Sequence, residues 1–180
     1  FTADVEFDVA DDVGALKAEM SKADPASYLT EANSITVDND GLGDRVVNAS
    51  DGAILASFTA DVSFDVVDDA NAVAAEVTGI GNTLDDLDEA ADVVVSGGDV
   101  TAAEAAAIQQ ISEYNDSASD YDITDTAAAL ISATDSVLNV DGVDTVSVTG
   151  GPVLADTGAT LNNMSADIEF DVSDTRSEIV

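Results

Sequence analysis

The sequence predicts an α/β repeat solenoid of about seven strand-helix coils carrying a parallel sheet, with a parallel β-helix as the alternative. Three observations predict it: a phrase that returns along the chain, strict apolar-polar alternation inside that phrase, and helix-start residues directly after it. The phrase is Ala3-Asp4-Val5-Glu6-Phe7-Asp8-Val9-Ala10-Asp11. It returns as Ala60-Asp61-Val62-Ser63-Phe64-Asp65-Val66-Val67-Asp68 and as Ala166-Asp167-Ile168-Glu169-Phe170-Asp171-Val172-Ser173-Asp174. A weaker copy runs from Asp120 to Asp125, so Phe7, Phe64, Tyr121 and Phe170 are equivalent.

These equivalences divide one repeat domain, 1–180, into repeats 1–57, 58–114, 115–163 and a partial 164–180. Each full repeat holds two strand-then-helix units. In the first unit Val5, Phe7 and Val9 fall on one face and Asp4, Glu6 and Asp8 on the other, the period of a half-buried strand. Asp11-Asp12, Asp68-Asp69, Asp125-Thr126 and Asp174-Thr175 follow these strands. Their side-chain oxygens suit free helix amides and their charge suits the positive end of the helix dipole. Helices are expected at Val13–Met20 and Ala127–Ala133.

The second unit is clearest where Asp92–Val100 aligns with Thr145–Val153, each a strand followed by a Gly-Gly turn. The turns at Gly97-Gly98 and Gly150-Gly151 are expected to need positive φ. A helix from Thr101 to about Glu113 follows the first of them, with Glu104 as capping-box partner of Thr101 and Ala105, Ile108 and Ile111 facing inward. The equivalent strand in the first repeat is Ser34–Val37, and its turn, Asp38-Asn39-Asp40-Gly41-Leu42-Gly43-Asp44, is the most irregular in the chain. Seven strands running the same way need crossovers. A compact three-layer sandwich would also supply them, but equivalence at a fixed period favours coils in equal environments.

Four basic residues against 38 acidic ones give a net charge of −34, which argues against nucleic acid as a partner and makes cations the natural ones. Hydrophobic content of 46% with positive mean hydropathy argues for a folded chain. Cysteine is absent, which removes disulfides and thiolate metal sites. No apolar run is long enough for membrane insertion. The chain opens at Phe1 and closes at Val180 inside repeats, which is expected of a processed product or of a segment of a longer protein.

Two carboxylate features are candidates for calcium. Asp8, Asp65, Asp122 and Asp171 recur on the polar strand face, either as a cation-binding ladder or as a solvated face in a salty medium. Asp38, Asp40 and Asp44 alternate with Asn39 and two glycines in a loop that could wrap a calcium ion or serve as a plain turn, and they are the candidate metal ligands. No catalytic or cofactor-binding residue is assigned. With neither His nor Cys, the usual base and nucleophile partners are missing, and any pair chosen from 38 carboxylates carries no information about glycoside hydrolysis. The aromatic series reads as an internal core stack.

The segments Tyr121–Leu130 and Val93–Ala106 resemble the strand-Asp-Thr-Ala-Ala repeats of giant secreted bacterial surface proteins of adhesin-like type, often exported by a one-step type I route. The resemblance implies an extracellular or cell-surface location, a structural, adhesive or matrix role, and calcium as an aid to folding. The expected function is a non-enzymatic structural unit of a surface layer, fibre or giant adhesin. Its partner is expected to be itself, head to tail as a homo-oligomer or as adjacent repeats of a longer chain. The alternative is a calcium-dependent adhesive module that binds carbohydrate or mineral through its acidic face.

Overall fold

Val9, Ile35 and Val62 lie side by side in parallel register, so the apolar half of each alternating strand meets its equivalent in the next one. The computed structural model describes residues 7–22, 29–57, 61–79 and 87–174. Ala3 to Glu6 of the opening phrase and the helix start expected at Thr175 lie outside the described residues.

The fold is α/β, with strands and helices alternating along the chain. The elements are β1 (Asp8–Asp11), α1 (Val13–Met20), β2 (Ser34–Val37), β3 (Val46–Val47), α2 (Ala49–Ala56), β4 (Val62–Ser63), β5 (Asp65–Asp68) and α3 (Ala70–Thr78). They continue with β6 (Val93–Val100), α4 (Ala102–Ile108), β7 (Asp120–Thr126), α5 (Ala127–Ser132), α6 (Asp135–Leu138), β8 (Val143–Thr149), α7 (Ala155–Asn162) and β9 (Ile168–Glu169). Every pairing among them is parallel.

Two sheets form, three-stranded in the order β1-β2-β4 and six-stranded in the order β3-β5-β6-β7-β8-β9. A single continuous sheet is therefore not what forms. The acidic loop between Val37 and Val46 splits one strand into β2 and β3, and Phe64 alone separates β4 from β5. As a result β4 pairs with β2 whereas β5 pairs with β3 and β6. Counting each split strand once, the nine strands make seven passes, and each pass neighbours the next one in sequence.

The helices start where the sequence places them. Asp12, Asp69 and Thr126 accept from the amides of Ala15, Ala72 and Ala129, three residues on. Thr101 and Glu104 close a reciprocal capping box at α4. That helix stops at Ile108, short of Glu113, and short turns carry the inward-facing Ile111 into the core.

Gly97, Gly98, Gly150 and Gly151 all have positive φ, as expected. Gly150-Gly151 follows β8 as a turn, but Gly97-Gly98 sits inside β6, where the register with β7 slips between Ser96 and Asp99. It is a bulge that lets the strand continue to Val100.

One contiguous core runs between the sheets and the helices. Phe64 and Tyr121 of the aromatic series belong to it, at 0% and 1% exposure, and Phe170 packs against it, whereas Phe7 stays outside it. The rings are not a stack, however. Phe64 and Tyr121 are separated by a pass that contributes Val93 and Val95, and they are not level across it, since Phe64 lies beside Ala91 and Tyr121 beside the Gly97-Gly98 bulge.

Phe64, Tyr121 and Phe170 instead face the helix of the preceding pass. A Cβ added at Gly52, the fourth residue of α2, would come within 3.2 Å of the Phe64 ring and 2.9 Å of Val66. At Gly158, the fourth residue of α7, it would come within 3.0 Å of the Phe170 ring. The fourth residue of α4, ahead of Tyr121, is the fully buried Ala105. In α1, α3 and α5 that place is held by Leu16, Val73 and Leu130, and the strands that follow them carry Ile or Val inward. Large strand residues thus follow small helix residues, and large helix residues precede smaller strand residues, which keeps the volume of each layer close to constant.

Candidate functional site

Three places concentrate exposed chemistry: the polar strand face, the acidic loop, and the unpaired sheet edges. On the strand face the expected ladder is already engaged by neighbouring strands. Asp8 accepts from the Ser34 hydroxyl at 2.8 Å, and Asp65 accepts twice from Arg45 Nη2 at 3.0 and 3.1 Å. Asp122 accepts from the Thr145 amide at 3.0 Å and from its hydroxyl. These carboxylates tie one strand to the next. Asp171 lies beyond β9 and lines an open groove of about 640 Å³ with Asp167, Glu169 and Ser147.

In the acidic loop the same chemistry is turned inward. Asp38 accepts from the Gly43 amide at 2.9 Å, and Asp40 accepts from those of Leu42 at 2.8 Å and Asp44 at 3.2 Å. Asp44 in turn accepts from Val46 at 3.1 Å. Donation from the Leu42 and Asp44 amides holds the Asp40 carboxyl below its ordinary value. Asn39 bridges outward, accepting from the Val13 amide at the start of α1 and donating to the Val46 carbonyl. Gly41 and Gly43, at φ 71° and 98°, present Leu42 at 89% exposure on the tip. Asp38, Asp40 and Asp44 therefore share one turn, each held by a backbone donor. Among the described residues no three acidic side chains gather as a group able to hold a metal ion.

The edges follow from a device that sequence reading missed. The closing Asp of the two inner phrases serves two helices at once. Asp68 accepts through Oδ1 from Asp69 and through Oδ2 from the Ala49 amide, the first of the preceding helix, at 2.9 Å. Asp125 does the same for Thr126 and Ala102, and Asp174 reaches Ala155 at 2.8 Å. The signal was in the chain, since the doublet recurs with the phrase, but the second partner lies 19 or 23 residues upstream. At the N-terminal edge, among the described residues, the Asp11 carboxylate accepts only from Asp12 and β1 pairs only with β2. At the other edge β9 pairs, among the described residues, only with β8.

On the helix side, α4, α5 and α6 leave an apolar groove of about 410 Å³ lined by Ala102, Ala106, Ala129 and Val137. Beside it Gln109 donates to the buried Tyr121 hydroxyl and to the Val137 carbonyl. Burial raises the pKa of Tyr121. The Tyr114 hydroxyl nearby is also buried. No helix among the described residues is long and apolar enough to cross a membrane.

Compared with known proteins, the chain matches no family model, no curated protein and no solved structure.

Proposed function

We propose that the chain is a non-enzymatic structural repeat unit of an extracellular surface layer, fibre or giant adhesin. Its passes would form a solenoid, and units would join head to tail through their open strand edges. The observation that carries this reading is the sequential, all-parallel strand order, which leaves β1 and β9 without an outer neighbour among the described residues. An open edge offers a row of backbone donors and acceptors to a further strand. In a stack of nearest-neighbour layers each added layer is held by the same contacts as the last. Cross-strand bonds such as Ser34 to Asp8 and Arg45 to Asp65 support the reading, because they use the acidic face to bind pass to pass.

A net charge of −34 keeps such a unit soluble and makes its association sensitive to salt and to divalent cations. Calcium, if bound through Asp38, Asp40 and Asp44, would act on that loop as an aid to stability.

The test is negative-stain electron microscopy of the protein with calcium and with a chelator. Filaments or sheets with an axial repeat of about 30 Å, the span of seven strands, support the reading. Isolated particles in both conditions, together with β1 and β9 amides that resist hydrogen exchange, overturn it.

A further inference from the structure

The N-terminal edge carries half of a seam that the molecule completes elsewhere, and the missing half can be read from the completed ones. A finished seam of this kind has three parts. An aromatic strand residue lies over a small fourth residue of the preceding helix, as Phe64 does over Gly52 and Phe170 over Gly158. The closing Asp of the strand takes the first amide of that helix, as Asp68 does for Ala49 and Asp174 for Ala155. The two strands pair in parallel. At the edge, Phe7 is only half-buried, Asp11 has an oxygen that no described donor reaches, and β1 has an unpaired side.

From this we infer, resting on the stacking reading above in its form of adjacent repeats of a longer chain and in place of end-to-end copies of this one, that the β1 edge is a docking surface for one kind of partner. That partner is a strand-helix unit of an adjoining repeat whose helix begins with Ala and has Gly or Ala as its fourth residue, the pattern of Ala155–Gly158. A larger fourth residue would meet the Phe7 ring where Gly158 meets Phe170. The unit that closes this same chain, a phrase unit, stands one step out of phase, since phrase strands alternate with the other kind along both sheets. An edge that admits only the alternate type therefore fixes the phase in which repeats join.

The experiment joins a second copy of residues 141–163 directly ahead of Phe1 in the full chain, which reproduces the spacing by which Asn163 leads into the last phrase. Phe7 and Asp11 turn their carbonyls to the β2 side, so the alternate residues Asp8 and Ala10 face the open edge, and hydrogen exchange at their amides is expected to slow by roughly tenfold or more relative to the unextended chain. The same extension carrying Gly158→Leu in the added copy is expected to lose most of that protection. If both extensions protect equally, the size rule is overturned while stacking stands. If neither does, the edge is not a stacking surface and both readings fall. Concentration-dependent protection of β1 in the unextended chain would assign the edge to the end of a second copy and overturn the phase rule.

Discussion

The seam at Gly52 and Phe64 and the seam at Gly158 and Phe170 are built from the same parts, yet Phe64 is fully buried and Phe170 only half-buried. In both the ring lies on a helix glycine, and in both an Asp takes the helix's first amide from 19 residues downstream. What differs is the far side. Beyond Phe64 lie α3 and β6, with Leu87 also within 3.4 Å of a Cβ at Gly52, whereas beyond Phe170 no further strand is described. A pass is thus finished by the pass that follows it, and burial in such a layered fold belongs to the pair of neighbours rather than to the local sequence.

The largest test of that comparison removes the rings. Phe64→Ala is expected to destabilise the chain by about 3–5 kcal/mol, the range for a fully buried Phe in a packed core. Phe170→Ala should cost about half as much, because part of its ring is already in water. Denaturant titration of the two variants checks the ordering, and equal losses would mean that the outer pass is as tightly packed as the inner one.

A smaller effect separates the closing carboxylates. Asp68→Ala leaves the Ala49 amide, at the start of a helix under the sheet, without its acceptor, and is expected to cost about 1–2 kcal/mol. Asp11→Ala removes only a bond to its own neighbour and should cost a few tenths in the unextended chain. The gap between the two variants should close once a unit is joined ahead of Phe1, as thermal melting of both backgrounds would report.

These contrasts also mark what the sequence could disclose. Alternation in Asp8–Asp11, the caps Asp12, Asp69 and Thr126, and the positive-φ glycines depend on neighbours within a few residues, so local rules found them. The division into two sheets did not show, because the acidic loop acts on Val62–Asp68 through strand pairing with β2 and β3. The bulge at Gly97-Gly98 looked like the turn at Gly150-Gly151, since only the register with β7 tells them apart. The bond from Asn39 to Val13 crosses 26 residues, and the match between Gly52 and Phe64 becomes visible only when the helix and strand are known to face each other. The strand-face carboxylates could be read as a ladder but not as partners of Ser34, Arg45 and Thr145.

The smallest effect concerns the turns that feed the two glycine-bearing helices, Asp38–Asp44 ahead of α2 and Gly150-Gly151 ahead of α7. Only the first is held by a carboxylate with a lowered pKa, that of Asp40, through the amides of Leu42 and Asp44. A group whose folded pKa is depressed contributes its stabilisation above the ordinary value of 3.8 and loses it as pH falls through the lowered folded value. The loop ahead of α2 is therefore expected to hold at neutral pH and loosen only below 3.8, while the glycine turn ahead of α7 has no such dependence. Amide shifts of Leu42 and Asp44 followed by NMR should titrate with a midpoint under 3.8, and Asp40→Asn should abolish that step while leaving Gly150 and Gly151 unmoved. A midpoint at or above 3.8 would show that the turn is not held by these bonds in solution, and the loop would then be free to rearrange around a cation.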